Sequence, residues 1–205
     1  MLSNGAAASA VALLLLGGSA VDAPLERAAP KVSAAVASTG GSGCPGAVAT
    51  VTATGADGFT LRFPGFTARA GGSAPLTERR RNCMVGVNID RPAGWTFTLR
   101  KAEYRGNAQL AKGAVGTMQA TYYFSASRST ARYTRTLKGP LRSAWQGGAT
   151  DFKELGWAPC DSARTLNINT EVRVTPGPDR KQKSQMETGA GGKATATYHL
   201  SWKKC

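Results

Sequence analysis

Apolar residues recur at every second position through most of this chain, and that period restricts the fold more than any other feature. Phe59, Leu61 and Phe63 alternate with Thr60 and Arg62, and Val85, Val87 and Ile89 alternate with Gly86, Asn88 and Asp90. Trp95, Phe97 and Leu99 alternate with Thr96, Thr98 and Arg100, and Met118, Ala120, Tyr122 and Phe124 alternate with Thr117, Gln119, Thr121 and Tyr123. Leu166, Ile168, Thr170, Val172 and Val174 are separated by Asn167, Asn169, Glu171 and Arg173. Near the end, Ala196, Tyr198, Leu200 and Trp202 share one face, with Thr197, His199, Ser201 and Lys203 on the other. An earlier run from Val48 to Thr54 turns at Gly55-Ala56-Asp57-Gly58 into Phe59, as a hairpin would. Successive side chains of a strand point to opposite sides, so this alternation makes strands with one buried and one wet face. Turns such as Arg91-Pro92-Ala93-Gly94 separate them. These features predict an all-β fold, an antiparallel β-sandwich of roughly eight to ten strands.

Other classes are disfavoured. No helical period extends beyond two turns, and the abundance of Gly (25 residues), Thr and Val works against a helical bundle. No repeat of fixed length points to a propeller or solenoid. Residues 175–192 are polar, with Pro and Gly at both ends, and read as a long exposed loop.

The 205 residues suit one folded domain preceded by processing segments. Residues 1–23 read as a signal peptide: the apolar run Val11 to Leu16 precedes Gly17, Gly18, Ser19 and Ala20, with cleavage expected after Ala20 or Ala23. The segment before that run lacks the usual Lys or Arg. The run is well short of the ~20 residues a spanning helix needs, so no membrane span is expected in the mature protein. Residues 24–43, rich in Ala, Ser and Gly, read as a linker or pro-segment, leaving 44–205 as a single β-sandwich domain. The expected location is extracellular.

Cysteine usage agrees with export. Cys44, Cys83, Cys160 and Cys205 are even in number and contain no close pair of the kind zinc and redox centres use. Two disulfides are expected, each contributing roughly 2–4 kcal/mol by restricting the unfolded chain. Three pairings are open. Cys44–Cys83 with Cys160–Cys205 is preferred only because it joins the segments nearest in sequence.

Several stretches carry a family resemblance: Gly43-Cys44-Pro45, Glu78-Arg79-Arg80-Arg81-Asn82-Cys83, Ala120-Thr121-Tyr122-Tyr123-Phe124-Ser125, Trp157-Ala158-Pro159-Cys160, Leu166-Asn167-Ile168-Asn169-Thr170 and Tyr198-His199-Leu200-Ser201-Trp202-Lys203-Lys204-Cys205. Over residues 42–205 the chain resembles the secreted proteins known as domain of unknown function 4360, found in filamentous bacteria and fungi. The resemblance implies an exported, cysteine-bearing, β-rich domain, and it implies neither an activity nor catalytic residues. The positive charge is not part of it.

Lys and Arg number 26 against 12 Asp and Glu, a formal charge of +14. A field of that sign attracts anionic polymers without needing a specific site. Arg79-Arg80-Arg81, the loop from Arg180 to Lys183, and Lys203-Lys204 form clusters, while Arg62, Arg69, Arg128, Arg132, Arg135 and Arg142 are spaced. Two aromatic residues are candidate platforms for sugar rings. Trp145 lies in the Gly-rich stretch Ser143 to Thr150, and Tyr123 faces outward beside Gln119 and Thr121. Trp95 and Trp202 are in phase with core residues instead.

Catalysis has few resources here. His199 is the only histidine, which excludes a multi-histidine metal site, and its neighbours Thr197, Ser201 and Lys203 suggest a solvated face. Glu103 and Glu171 could form the paired carboxylates of a glycan hydrolase, which stand about 5–10 Å apart, with Asp90, Asp151 and Asp161 at strand ends. Glu171 beside Arg173 equally suits an ordinary ion pair. No calcium-loop motif occurs, and no cofactor or metal is expected. The expectation is a secreted, non-catalytic binding or structural domain at the cell surface or wall. Its partners are expected to be anionic polymers or polysaccharide of the cell wall, with no specific nucleic acid. The ligand-binding candidates are Trp145, Tyr123, Arg79, Arg80 and Arg81. The alternative is a small secreted glycan-directed hydrolase using paired carboxylates.

Overall fold

In the computed structural model the alternating segments become two antiparallel sheets. Described are Met1 and residues 31–46, 49–55, 57–189 and 193–205. Apart from Met1, the expected signal peptide lies outside the described residues, as do residues 24–30 of the expected linker, Val48, and Ala190-Gly191-Gly192 of the expected loop.

Twelve strands occur among the described residues: β1 (Ser33–Gly40), β2 (Thr50–Thr54), β3 (Gly58–Pro64), β4 (Thr67–Ala70), β5 (Arg80–Asp90), β6 (Trp95–Leu110), β7 (Val115–Phe124), β8 (Ala131–Lys138), β9 (Leu141–Ala149), β10 (Leu166–Thr175), β11 (Ser184–Thr188) and β12 (Lys193–Lys204). One sheet runs β1-β5-β10-β7-β8. The other runs β2-β3-β12-β6-β11-β4, with β9 also paired to β6. The 16-residue β6 organises the second sheet. Along one of its sides it pairs first with β12, over Trp95 to Glu103, and then with β11, over Gly106 to Gln109. Its other side pairs with β9, over Ala102 to Leu110.

The apolar faces of the two sheets meet in one core, as the periodicity requires. Phe97 of β6 packs edge-on against Phe124 of β7, with ring centroids 5.6 Å apart. Phe59 stacks on its cross-strand neighbour Tyr198 at 5.0 Å. Fully burying each such side chain contributes about 1.5–3 kcal/mol. Three buried hydroxyls solve the problem of tyrosine in a core: Tyr104 lies 2.7 Å from the Tyr122 oxygen and 3.2 Å from that of Tyr198. The first of these contacts joins the two sheets.

The disulfides are Cys44–Cys83, with Cα atoms 5.4 Å apart, and Cys160–Cys205, at 5.9 Å. The second fixes the end of β12 beside the start of β6, where the Cys205 amide also donates to the Gly94 carbonyl at 3.0 Å.

Three segments differ from the sequence expectation. Residues 33–40, read as linker, form β1 and pair with β5. Their inward residues are only Ala34 and Val36, which pack against the core, so the segment shows little apolar contrast. Residues 184–188, read as exposed loop, form β11, which places Met186 fully inside. The Gly-rich stretch around Trp145, expected to present an exposed ring, is β9 and turns that ring inward. No helix among the described residues is long and apolar enough to cross a membrane.

Candidate functional site

The two aromatic candidates have different fates. Trp145 pairs with Gly106 across β9 and β6 and is 6% exposed, so it is a core residue and offers no platform to a ligand. The glycines around it serve its packing. A Cβ on Gly106 would sit 2.7 Å from the Trp145 ring and would collide with the Glu187 carbonyl. A Cβ on Gly147 would run into the Tyr133 hydroxyl. Tyr123 does face outward. It lies half-buried on the five-stranded sheet opposite Asn167, and its hydroxyl donates to the Met84 sulfur at 3.4 Å.

Arg79, Arg80 and Arg81 do not form one patch, because successive residues entering a strand point to opposite sides. Arg79 closes a 3₁₀ turn and has a buried Nε with no hydrogen-bond partner among the described residues. Arg80 Nε donates to Glu171 at 2.7 Å. Arg81 donates to the Ser42 carbonyl at 3.2 Å.

The paired carboxylates do not converge either. Glu103 is on β6 of the larger sheet and Glu171 on β10 of the smaller, and both occupy outward-facing strand positions. They therefore point away from opposite sides of the sandwich. Each is engaged by cations: Glu171 lies between Arg80 and Arg173, the latter at 3.1 Å, and Glu103 is 3.0 Å from Lys101.

His199 is less solvated than its neighbours suggested. Its Nδ1 is 3.7 Å from Asp57 and its Nε2 3.8 Å from Glu103. Burial opposes ionisation of Asp57, but the Arg100 guanidinium bonded to it and the nearby His199 outweigh that effect and hold the carboxyl below its ordinary value. The result is a polar clasp joining the β2–β3 turn to β6 and β12. The two ring nitrogens of His199 thus face carboxylates rather than a hydroxyl.

A site of a different kind lies at the other end of β6. Register places Arg69 of β4 opposite Gln185 of β11, Gln185 opposite Gln109 of β6, and Gln109 opposite Arg142 of β9. All four are exposed, and directly paired residues share a face. They form one row crossing four strands, with its arginines about 14 Å apart at ordinary strand spacing. Contiguous open depressions of about 440, 250 and 780 Å³ follow this row. Gln109 borders all three; Gln185, Arg142 and Lys183 each border two. Two carboxylates are near. Glu78 lies 3.7 Å from Arg69, and Glu187 accepts from the Asn107 amide at 2.8 Å. In the sequence Arg69 and Arg142 are only spaced charges. The signal that joins them is strand register, which runs through the unrecognised β4, β9 and β11.

Comparison with known proteins places this architecture. A curated relative from Arthroderma benhamiae, described as an uncharacterized secreted protein, is 32% identical over 169 residues, which cover 81% of this chain and 69% of the relative. No solved structure matches the chain. The family model described as Domain of unknown function (DUF4360) matches residues 30–205, a span that takes in all four cysteines and every strand from β1 to β12. The chain belongs to the DUF4360 family.

Proposed function

We propose that this chain is exported and acts outside the cell as a non-catalytic binding domain that holds anionic polysaccharide of the cell wall. The observation that carries this reading is the open groove along Arg69, Gln185, Gln109 and Arg142. It presents cations and hydrogen-bonding amides together, on a rigid sheet, in a chain of net charge +14. The printed description of the A. benhamiae relative as secreted supports the location. The hydrolase alternative finds less support, because Glu103 and Glu171 leave opposite faces and each is occupied by a cation.

The test is retention on insoluble wall glycan. Binding at about 0.1 M salt that weakens toward 0.5 M is expected, since about 10 Å of Debye length at the lower value shrinks as ions are added. Absence of retention at low salt would remove the binding role. Release of soluble sugar from the glycan, lost in Glu103→Gln or Glu171→Gln, would restore the hydrolase.

A further inference from the structure

We infer that the groove is a subsite for a linear acidic glycan, a polymer of carboxylate-bearing sugars, running across the strands from Arg69 to Arg142. This rests on the binding role proposed above and specifies its place and its ligand. Three observations lead to it.

The first is the order of chemistry along the row. Arginines stand at the two ends and two glutamine amides between them. A guanidinium presents paired N–H donors that match a carboxylate in the plane. A side-chain amide offers both donor and acceptor, which suits a sugar hydroxyl that does the same. Charge at intervals with hydroxyls between is the pattern of a uronic acid polymer.

The second is charge. Arg69, Arg142, Lys181 and Lys183 border the groove, against the carboxylates of Glu78 and Glu187. Glu187 is held by Asn107 and Glu78 makes only a long contact with Arg69, so the excess is positive and available.

The third is the absence of aromatic rings. None of the described residues lining the three depressions is Phe, Tyr or Trp. Single-stranded nucleic acids are commonly held by stacking on such rings beside a basic groove, and here the rings are missing. An extended ligand here must be held by charge and hydrogen bonds.

The experiment measures binding of soluble polygalacturonate, with neutral dextran and inorganic polyphosphate as comparison probes. Three double variants are compared with the unmodified protein, each checked for an unchanged thermal midpoint. Arg69→Ala with Arg142→Ala removes the groove charges. Arg62→Ala with Arg132→Ala removes two exposed arginines elsewhere and so matches the change in net charge. Gln109→Ala with Gln185→Ala removes the amides and leaves the charge. The expected result is tenfold or greater weakening for polygalacturonate in the groove arginine pair and less than threefold in the control pair. The glutamine pair should weaken polygalacturonate about fivefold and leave polyphosphate unchanged. Dextran should not bind.

Equal losses in the two arginine pairs would overturn the inference in favour of diffuse attraction. So would a glutamine pair with unchanged polygalacturonate binding. Failure to bind polygalacturonate, with retention on wall glycan intact, would sink this ligand assignment alone. Failure on both would sink the wall-binding role with it.

Discussion

Gly106 has no side chain because the Trp145 ring occupies the space where one would begin. Overfilling a packed core costs about 1–3 kcal/mol, and here the Glu187 carbonyl blocks the same space. Gly106→Ala should therefore lower the free energy of unfolding by about 2–3 kcal/mol, measured by urea titration. The buried tyrosines give a second expectation at this scale. Burial, and then the neighbouring phenols, push Tyr104 well above its ordinary value, and burial does the same for Tyr122 and Tyr198. The folded state thus keeps protons that the unfolded chain releases above about pH 10. The stability this contributes is full below that pH and is lost as pH rises beyond it. In an alkaline titration, the phenolate absorbance of these three residues should appear together with loss of the β signal. Early, independent ionisation of all five tyrosines would contradict the packing described.

Strands whose inward residues are mostly large were readable from sequence, and strands whose inward residues are mostly small or polar were not. In β7, Met118, Ala120, Tyr122 and Phe124 alternate against polar residues, and the structure buries all four. In β4 the inward pair is Ala68 and Ala70, and in β11 it is Ser184 and Met186 with Thr188. Period two is present in both, but without the contrast in hydrophobicity that makes it visible. Met186→Ala distinguishes strand from loop, because a fully buried methionine costs about 2–5 kcal/mol to truncate and an exposed one almost nothing. Trp145 looks exposed in the sequence for a related reason, since small glycine neighbours hide the close packing that buries its ring. At the β2–β3 turn, the depressed Asp57 carboxyl contributes stability that is present above the ordinary carboxylate range and lost as pH falls through its folded value. Asp57→Asn should destabilise the protein at pH 7 and progressively less as the pH falls below the ordinary carboxylate range, as read from denaturation midpoints across that range.

For the whole molecule, the number of disulfides and the fold class followed from composition and alternation. The groove did not, because its row draws on residues from Arg69 to Gln185 that only register assembles. The two disulfides span 39 and 45 residues. Loops of that size correspond to about 4 kcal/mol each in the chain-entropy treatment. Replacing Cys160 and Cys205 together by Ala should lower stability by about that amount, checked by urea titration under oxidising conditions. β12 carries a further consequence. It lies between β3 and β6, which do not pair with each other, so the larger sheet is interrupted at its centre until residues 193–204 arrive. Pairings between such distant segments form slowly. A nascent chain emerging in order from β1 therefore holds two unjoined halves of the larger sheet, and only the arrival of β12 closes the seam between them.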